Sequence, residues 1–133
     1  MDMAQLQQIT ALKLHQSEAK LSGILAREKA LRSDLARLQR MAHETQAMPQ
    51  DQASMRAIGA DVIWLRWVSE ASRQISIELA QVLAQKDGLM SAHKRAVGKD
   101  AVAQEMASQN RAEVQKKHRQ KALKQAIDRS LIK

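Results

Sequence analysis

Two runs of apolar residues at seven-residue spacing constrain this chain more than any other feature. In the first third, Leu14, Leu21, Ile24, Leu31, Leu35 and Leu38 fall in one heptad frame. Ser17, Ile24, Leu31 and Leu38 take the a positions, and Leu14, Leu21, Glu28 and Leu35 the d positions. Such a stripe lies along one side of an α-helix, because 3.5 residues is close to one helical turn. Lys13, Lys20, Arg27, Lys29, Asp34 and Arg37 fill much of the remaining surface. No Pro precedes position 49 and only Gly23 weakens the run, so the spacing predicts a helix from about residue 3 to about residue 46.

Residues 47–60 break this pattern. Pro49 disfavours a helical Met48, and the stretch PQDQASMRAIGA has no sustained period. Asp61 is then the expected cap of a second helix opening DVIWLRWV and running to about residue 125. Val68, Ile75, Val82, Leu89, Ala96 and Ala103 repeat every seven residues along it, with Leu79 in the companion column. Lys86, His93 and Asp100 share that column, so the seam weakens toward the C-terminus, and Gly88 and Gly98 are the expected places for bending or fraying.

Two heptad helices joined by a short bend predict an all-α fold, a single antiparallel coiled-coil hairpin spanning residues 1–133. Neither amphipathic face is stable alone in water. A turn centred near residue 53 sets residue 5 opposite about residue 101, and everything past roughly residue 105 has no partner on the first helix. Composition agrees. Four Gly and one Pro are too few for the turns of an all-β fold, and two Trp are the only aromatics.

The net charge of +8 is concentrated at one end. Residues 108–133 carry Arg111, Lys116, Lys117, Arg119, Lys121, Lys124, Arg129 and Lys133 against Glu113 and Asp128, a net +6. A basic block of this kind seeks an acidic surface, a phosphate backbone or an anionic membrane face, or else is a solvated helix end. The segment has no aromatic ring for base stacking, and its heptads precede the basic block, opposite to the order in a parallel DNA-binding dimer. No specific nucleic acid is therefore expected. Val114, Leu123, Ile127 and Leu131 make a thin apolar side for a lipid-facing helix, and no stretch approaches the roughly 18 apolar residues of a spanning one. No membrane insertion is expected, and the start MDMAQLQQIT does not read as a secretory signal.

Catalytic chemistry has little to stand on. Without Cys there is no thiol catalysis, no disulfide and no Cys-ligated zinc, which fits a reducing compartment. His15, His43, His93 and His118 are scattered, with none of the i, i+4 pairing of helical metal sites. A Gly-rich phosphate loop, a nucleophile elbow and a Glu-x-x-His pair are all missing. The acidic residues fall mostly on faces expected to be exposed. The reading is a non-enzyme without cofactor or metal. For Trp64 and Trp67, at i and i+3 beside Ile63, Leu65 and Val68, the favoured reading is that one or both pack under the bend and pin the hairpin closed; the other is that one is exposed and anchors a partner. Arg66 between them points outward.

A small, basic, Cys-free hairpin with Arg66, Trp67 and Val68 at the start of its second helix, then Ile77, Glu78 and Ala80, resembles the FliJ family. Those proteins are the stalk and general chaperone of the flagellar type III export ATPase, with YscO-type relatives in injectisomes. The resemblance implies a stalk similar to the γ subunit of rotary ATPases, cytoplasmic and peripheral to the secretion base at the inner membrane. Its partners would be a hexameric export ATPase, whose assembly and turnover it promotes, an export-gate membrane protein and export chaperones. Arg66, Trp67, Arg73, Ile77 and Ala80 would face the gate, and Arg111, Lys116, Lys117, Arg119, Lys121 and Lys124 the ATPase. The chain departs from the family in having no aromatic on its first helix and Arg73 at the position of a family aromatic. Two other functions fit the same residues: a basic hairpin binding RNA or ribosomes non-specifically, and a self-associating coiled-coil scaffold.

Overall fold

A computed structural model describes residues 2–47 and 55–132. Apart from Asp2, all of them lie in two α-helices, α1 (Met3–Ala47) and α2 (Met55–Ile132), and no strand occurs among the described residues. The chain is all-α, as the heptads predict. The break expected at Pro49 lies outside the described residues.

Asp2 caps α1. Its Oδ1 accepts the Ala4 N–H at 3.4 Å, and its backbone carbonyl accepts the Leu6 N–H at 3.0 Å. One otherwise unpaired N–H of the first turn is thereby satisfied. The second helix begins earlier than expected, at Met55, so Asp61 lies inside it and is not its cap. Met55, Arg56, Ala57 and Ile58 have moderate to high helix propensity, and Gly59 alone, at about 1 kcal/mol, is too small a penalty to stop a helix. Gly88 and Gly98 do not break α2 either, and no glycine among the described residues has a positive φ. The helix also continues past residue 125 to Ile132.

Packing divides the chain into two compact units, Ala19–Met90 and Met1–Glu18 with Ser91–Lys133. The Ala19–Met90 unit holds the larger apolar core. Leu31, Leu79 and Val82 are buried together, with Ile24, Leu35, Ile75 and Leu83 packed on them; Leu38 and Val68 are buried as well. These are the heptad positions, and burying them is what holds two otherwise marginal helices together. Arg27 meets Glu78 at 2.8 Å, Glu28 meets Lys86 at 2.8 Å, and Trp64 Nε1 donates to Thr45 Oγ1 at 3.1 Å. Residue numbers fall along α2 as they rise along α1, so the helices run antiparallel.

The other unit is antiparallel too but differently filled. Its buried residues are Ala103, Ala107 and Asp100. The Thr10 hydroxyl lies 2.9 Å from Asp100 Oδ1 and 3.0 Å from the Gln7 carbonyl; its single proton goes to the charged oxygen, the stronger acceptor. Gln104 donates to Asp100 Oδ2 at 2.9 Å. One heptad along, Ser17 Oγ is 3.0 Å from His93 Nδ1 while bonding the Leu14 carbonyl at 2.9 Å. With the hydroxyl proton on that carbonyl, His93 donates from Nδ1. A further heptad in the opposite direction aligns Met3 with Ala107, the last buried residue of α2. From Ser108 to Ile132 every residue is exposed.

Candidate functional site

Two surfaces carry the candidate residues, one in each unit. In the Ala19–Met90 unit, Arg66, Arg73, Ile77 and Ala80 are spaced seven, four and three apart, which places them on one stripe of α2. Val68, Ile75 and Val82 occupy the seam, about half a turn away. All four stripe residues are exposed, Ile77 at 43%. Trp67 borders the stripe and is 54% exposed. All five residues expected to face a partner are thus exposed along one flank of α2.

That flank is not simply basic. Arg73 makes a two-pronged contact with Glu70, Nη2 to Oε1 at 2.9 Å and Nε to Oε2 at 3.3 Å. The hydrogen bond from Arg73, with its charge, holds the Glu70 carboxyl below its ordinary range, and Glu70 in turn raises the Arg73 pKa. Arg66 forms no ion pair with any of the described residues.

The bend under which one or both tryptophans are expected to pack lies outside the described residues, but their own surroundings are clear. They stack on each other, ring centroids 5.2 Å apart and planes at 22°, and both remain open to solvent. Trp64 is tied by its indole N–H to Thr45, whose hydroxyl bonds back to the Met41 carbonyl. Trp67 only borders it. With Ala60 and Ile63, the last 72% exposed, they form a shallow apolar hollow on α2. The cause is geometric: Leu65 and Val68 take the seam positions, and residues beside them at i−1 flank the seam, from where the Trp64 ring edge still reaches Thr45 of α1.

The second surface is α2 from Ser108 onward. Arg111, Lys116, Lys117, Arg119, Lys121 and Lys124 are all exposed. At about 100° per residue they fall right round the helix axis and define no single basic face. The heptad frame also continues through this segment: Asn110, Lys117 and Lys124 fall at a, and Val114 and Lys121 at d. Charge thus replaces apolar residues at the positions that would otherwise seek a partner helix.

What the sequence reading did not foresee is the pairing of polar residues in the seam. Glu28, expected at a d position, lies 2.8 Å from Lys86 and 3.9 Å from Arg32. The Lys86 hydrogen bond lowers the Glu28 pKa, against an opposing effect of burial. His93 and Asp100 likewise face the seam with Ser17 and Thr10, so these carboxylates and this imidazole are not solvent-facing helix residues. The signal was present: three polar residues seven apart on one helix, and Thr10, Ser17 and Glu28 in the matching frame on the other. Among the described residues no three or more His, Cys, Asp or Glu gather to hold a metal ion, and no helix is long and apolar enough to cross a membrane. Compared with protein-family models, curated proteins and solved structures, the chain has no match.

Proposed function

We propose that this chain is a non-enzymatic stalk and chaperone-like component of a flagellar or related type III protein export ATPase. One observation carries the reading: residues 108–132 form a solvent-exposed helix whose basic side chains surround the axis. A flat acidic surface neutralises only one side of such a helix. An acidic sleeve, such as the pore of a hexameric ring, engages all of it at once. Lysines at the continued heptad positions keep the segment from pairing with an apolar helix, leaving it available to the ring.

On this reading the Arg66, Trp67, Arg73, Ile77 and Ala80 flank meets the export-gate membrane protein. Trp67 and Ile77 supply the apolar contact, and Arg66 an exposed cation. The protein works in the cytoplasm at the secretion base and exchanges export chaperones there. Turnover by the cognate ATPase, measured over a concentration series of the full chain and of a chain ending at residue 107, tests it. The full chain should raise turnover and the shortened one should lose most of the effect. Flat activity over the series sinks the proposal, and salt-sensitive retention on RNA would transfer the basic helix to the ribosome-associated reading.

A further inference from the structure

The polar layers of the seam are unequally distributed between the two units, and so is what surrounds them. In the Ala19–Met90 unit a single layer, Glu28 with Lys86, is set among Leu21, Ile24, Leu31, Leu35, Leu38, Val68, Ile75, Leu79, Val82 and Leu89. In the other unit the heptad positions of α1 are Met3, Gln7, Thr10, Leu14 and Ser17, and those of α2 are His93, Ala96, Asp100, Ala103 and Ala107. Only Met3 and Leu14 are large and apolar. The rest bury methyl groups or polar atoms, and burial of apolar area is what offsets the conformational entropy of holding two helices together.

Asp100 and His93 still have partners across the seam. Asp100, 5% exposed, accepts from Thr10 and Gln104, and His93 meets Ser17. No buried side-chain nitrogen or oxygen among the described residues is left without one. Such pairs are satisfied only when Thr10 faces Asp100 and Ser17 faces His93. A slip of one heptad sets Thr10 against His93 and leaves Asp100 without its α1 donor. The arrangement therefore defines register sharply while adding little to stability, as buried polar residues do in coiled-coil seams.

We propose that this seam is a built-in opening device: Met3–Glu18 separates from Ser91–Ala107 as one cooperative step while the Leu31–Leu79–Val82 core stays closed. Opening bares His93, Ala96, Asp100, Ala103 and Ala107, so the single-helix stretch of α2 starts near residue 91 instead of 108. Reclosure returns to the same register because only that register satisfies Asp100 and His93. The device is reversible and it is local.

Native-state hydrogen exchange on the full chain, over a range of low denaturant, tests this. Amides of residues 7–17 and 91–106 should exchange at least about tenfold faster than those of 24–38 and 68–82, with one shared denaturant dependence. Protection that declines smoothly toward the start of α1 indicates end fraying and overturns the proposal, as does equal protection in both units. A second variant separates the seam's chemistry from its position. Thr10→Leu, Ser17→Leu, His93→Leu and Asp100→Leu together should slow exchange in that unit at least about tenfold and leave residues 24–38 within about twofold. Unchanged exchange refutes the assignment to polar layers. If four leucines cause aggregation, Thr10→Val with Asp100→Leu makes the same comparison with a smaller expected slowing.

Discussion

Leu31 is the most informative single residue for testing whether the seam holds the chain together. It is 3% exposed and buried with Leu79 and Val82. Leu31→Ala removes the equivalent of three methylenes from that contact, about 2.4 kcal/mol at about 0.8 kcal/mol each. A cavity contribution normally adds to this and carries Leu→Ala changes toward about 5 kcal/mol. Here only two helices form the contact, and no fully buried side chain lies beside it to hold a void open. The flanking Ile24, Leu35 and Ile75 are only partly buried and can settle inward. The cost should therefore stay near the lower end, about 2.5–3 kcal/mol.

The assay is urea unfolding followed by helical circular dichroism, with Leu12→Ala as the control. Leu12 sits on the same helix and is 59% exposed, so its truncation should change stability by less than about 0.5 kcal/mol. Leu31→Ala with Leu79→Ala should cost less than the two singles together, since each empties the same contact. A loss below about 1 kcal/mol for Leu31→Ala, or equal effects of Leu31→Ala and Leu12→Ala, would refute the packed seam as the source of stability.

Three further outcomes follow from the same geometry. Glu28 has its pKa lowered by Lys86, so the pair's contribution is complete above the ordinary value of 4.5 and is lost as pH falls through the lowered one; unfolding curves of the parent and Lys86→Met should differ at pH 7 and converge in acid, and a gap that persists or widens in acid contradicts the ion pair. Gly98 is helical, and a Cβ there would meet nothing within 4 Å, so Gly98→Ala should stabilise the chain by about 0.5–1 kcal/mol in thermal unfolding; a loss would mean the backbone bends there in solution. Replacing Lys117, Lys121 and Lys124 by Leu restores an apolar a/d seam to the exposed helix, and sedimentation should then show concentration-dependent association beyond that of the parent, unchanged mass removing the seam lysines from any role in keeping this helix single.

The helices and their seam were legible because period alone reports them. Leu31, Leu38, Val68, Leu79 and Val82 stand at heptad positions in the sequence and are buried in the structure. Helix ends were less legible. Asp61 has the chemistry of a cap, but capping is worth about 1 kcal/mol, and Met55 to Ile58 needed only ordinary propensity to extend the helix past it. The partial exposure of the tryptophans was not legible, for another reason. Size and apolarity suggest burial, yet in a two-helix seam only the a and d positions face a partner, and neither Trp64 nor Trp67 holds one.

Register was the harder quantity, and the polar residues explain why. A turn centred near residue 53 sets residue 5 opposite about 101, which aligns Thr10 with Ala96. In the structure Thr10 meets Asp100, one helical turn further along α2. Apolar heptads cannot detect that error, since a leucine contacts whichever leucine or alanine the slip presents. Polar residues can: Thr10 and Ser17 are seven apart, as are Asp100 and His93, and only one alignment satisfies both pairs. The column that first reads as a weakening of the seam thus contains its register information. Reading polar a and d residues on both helices as pairs to be matched, before locating the turn, recovers the alignment that the apolar residues leave open.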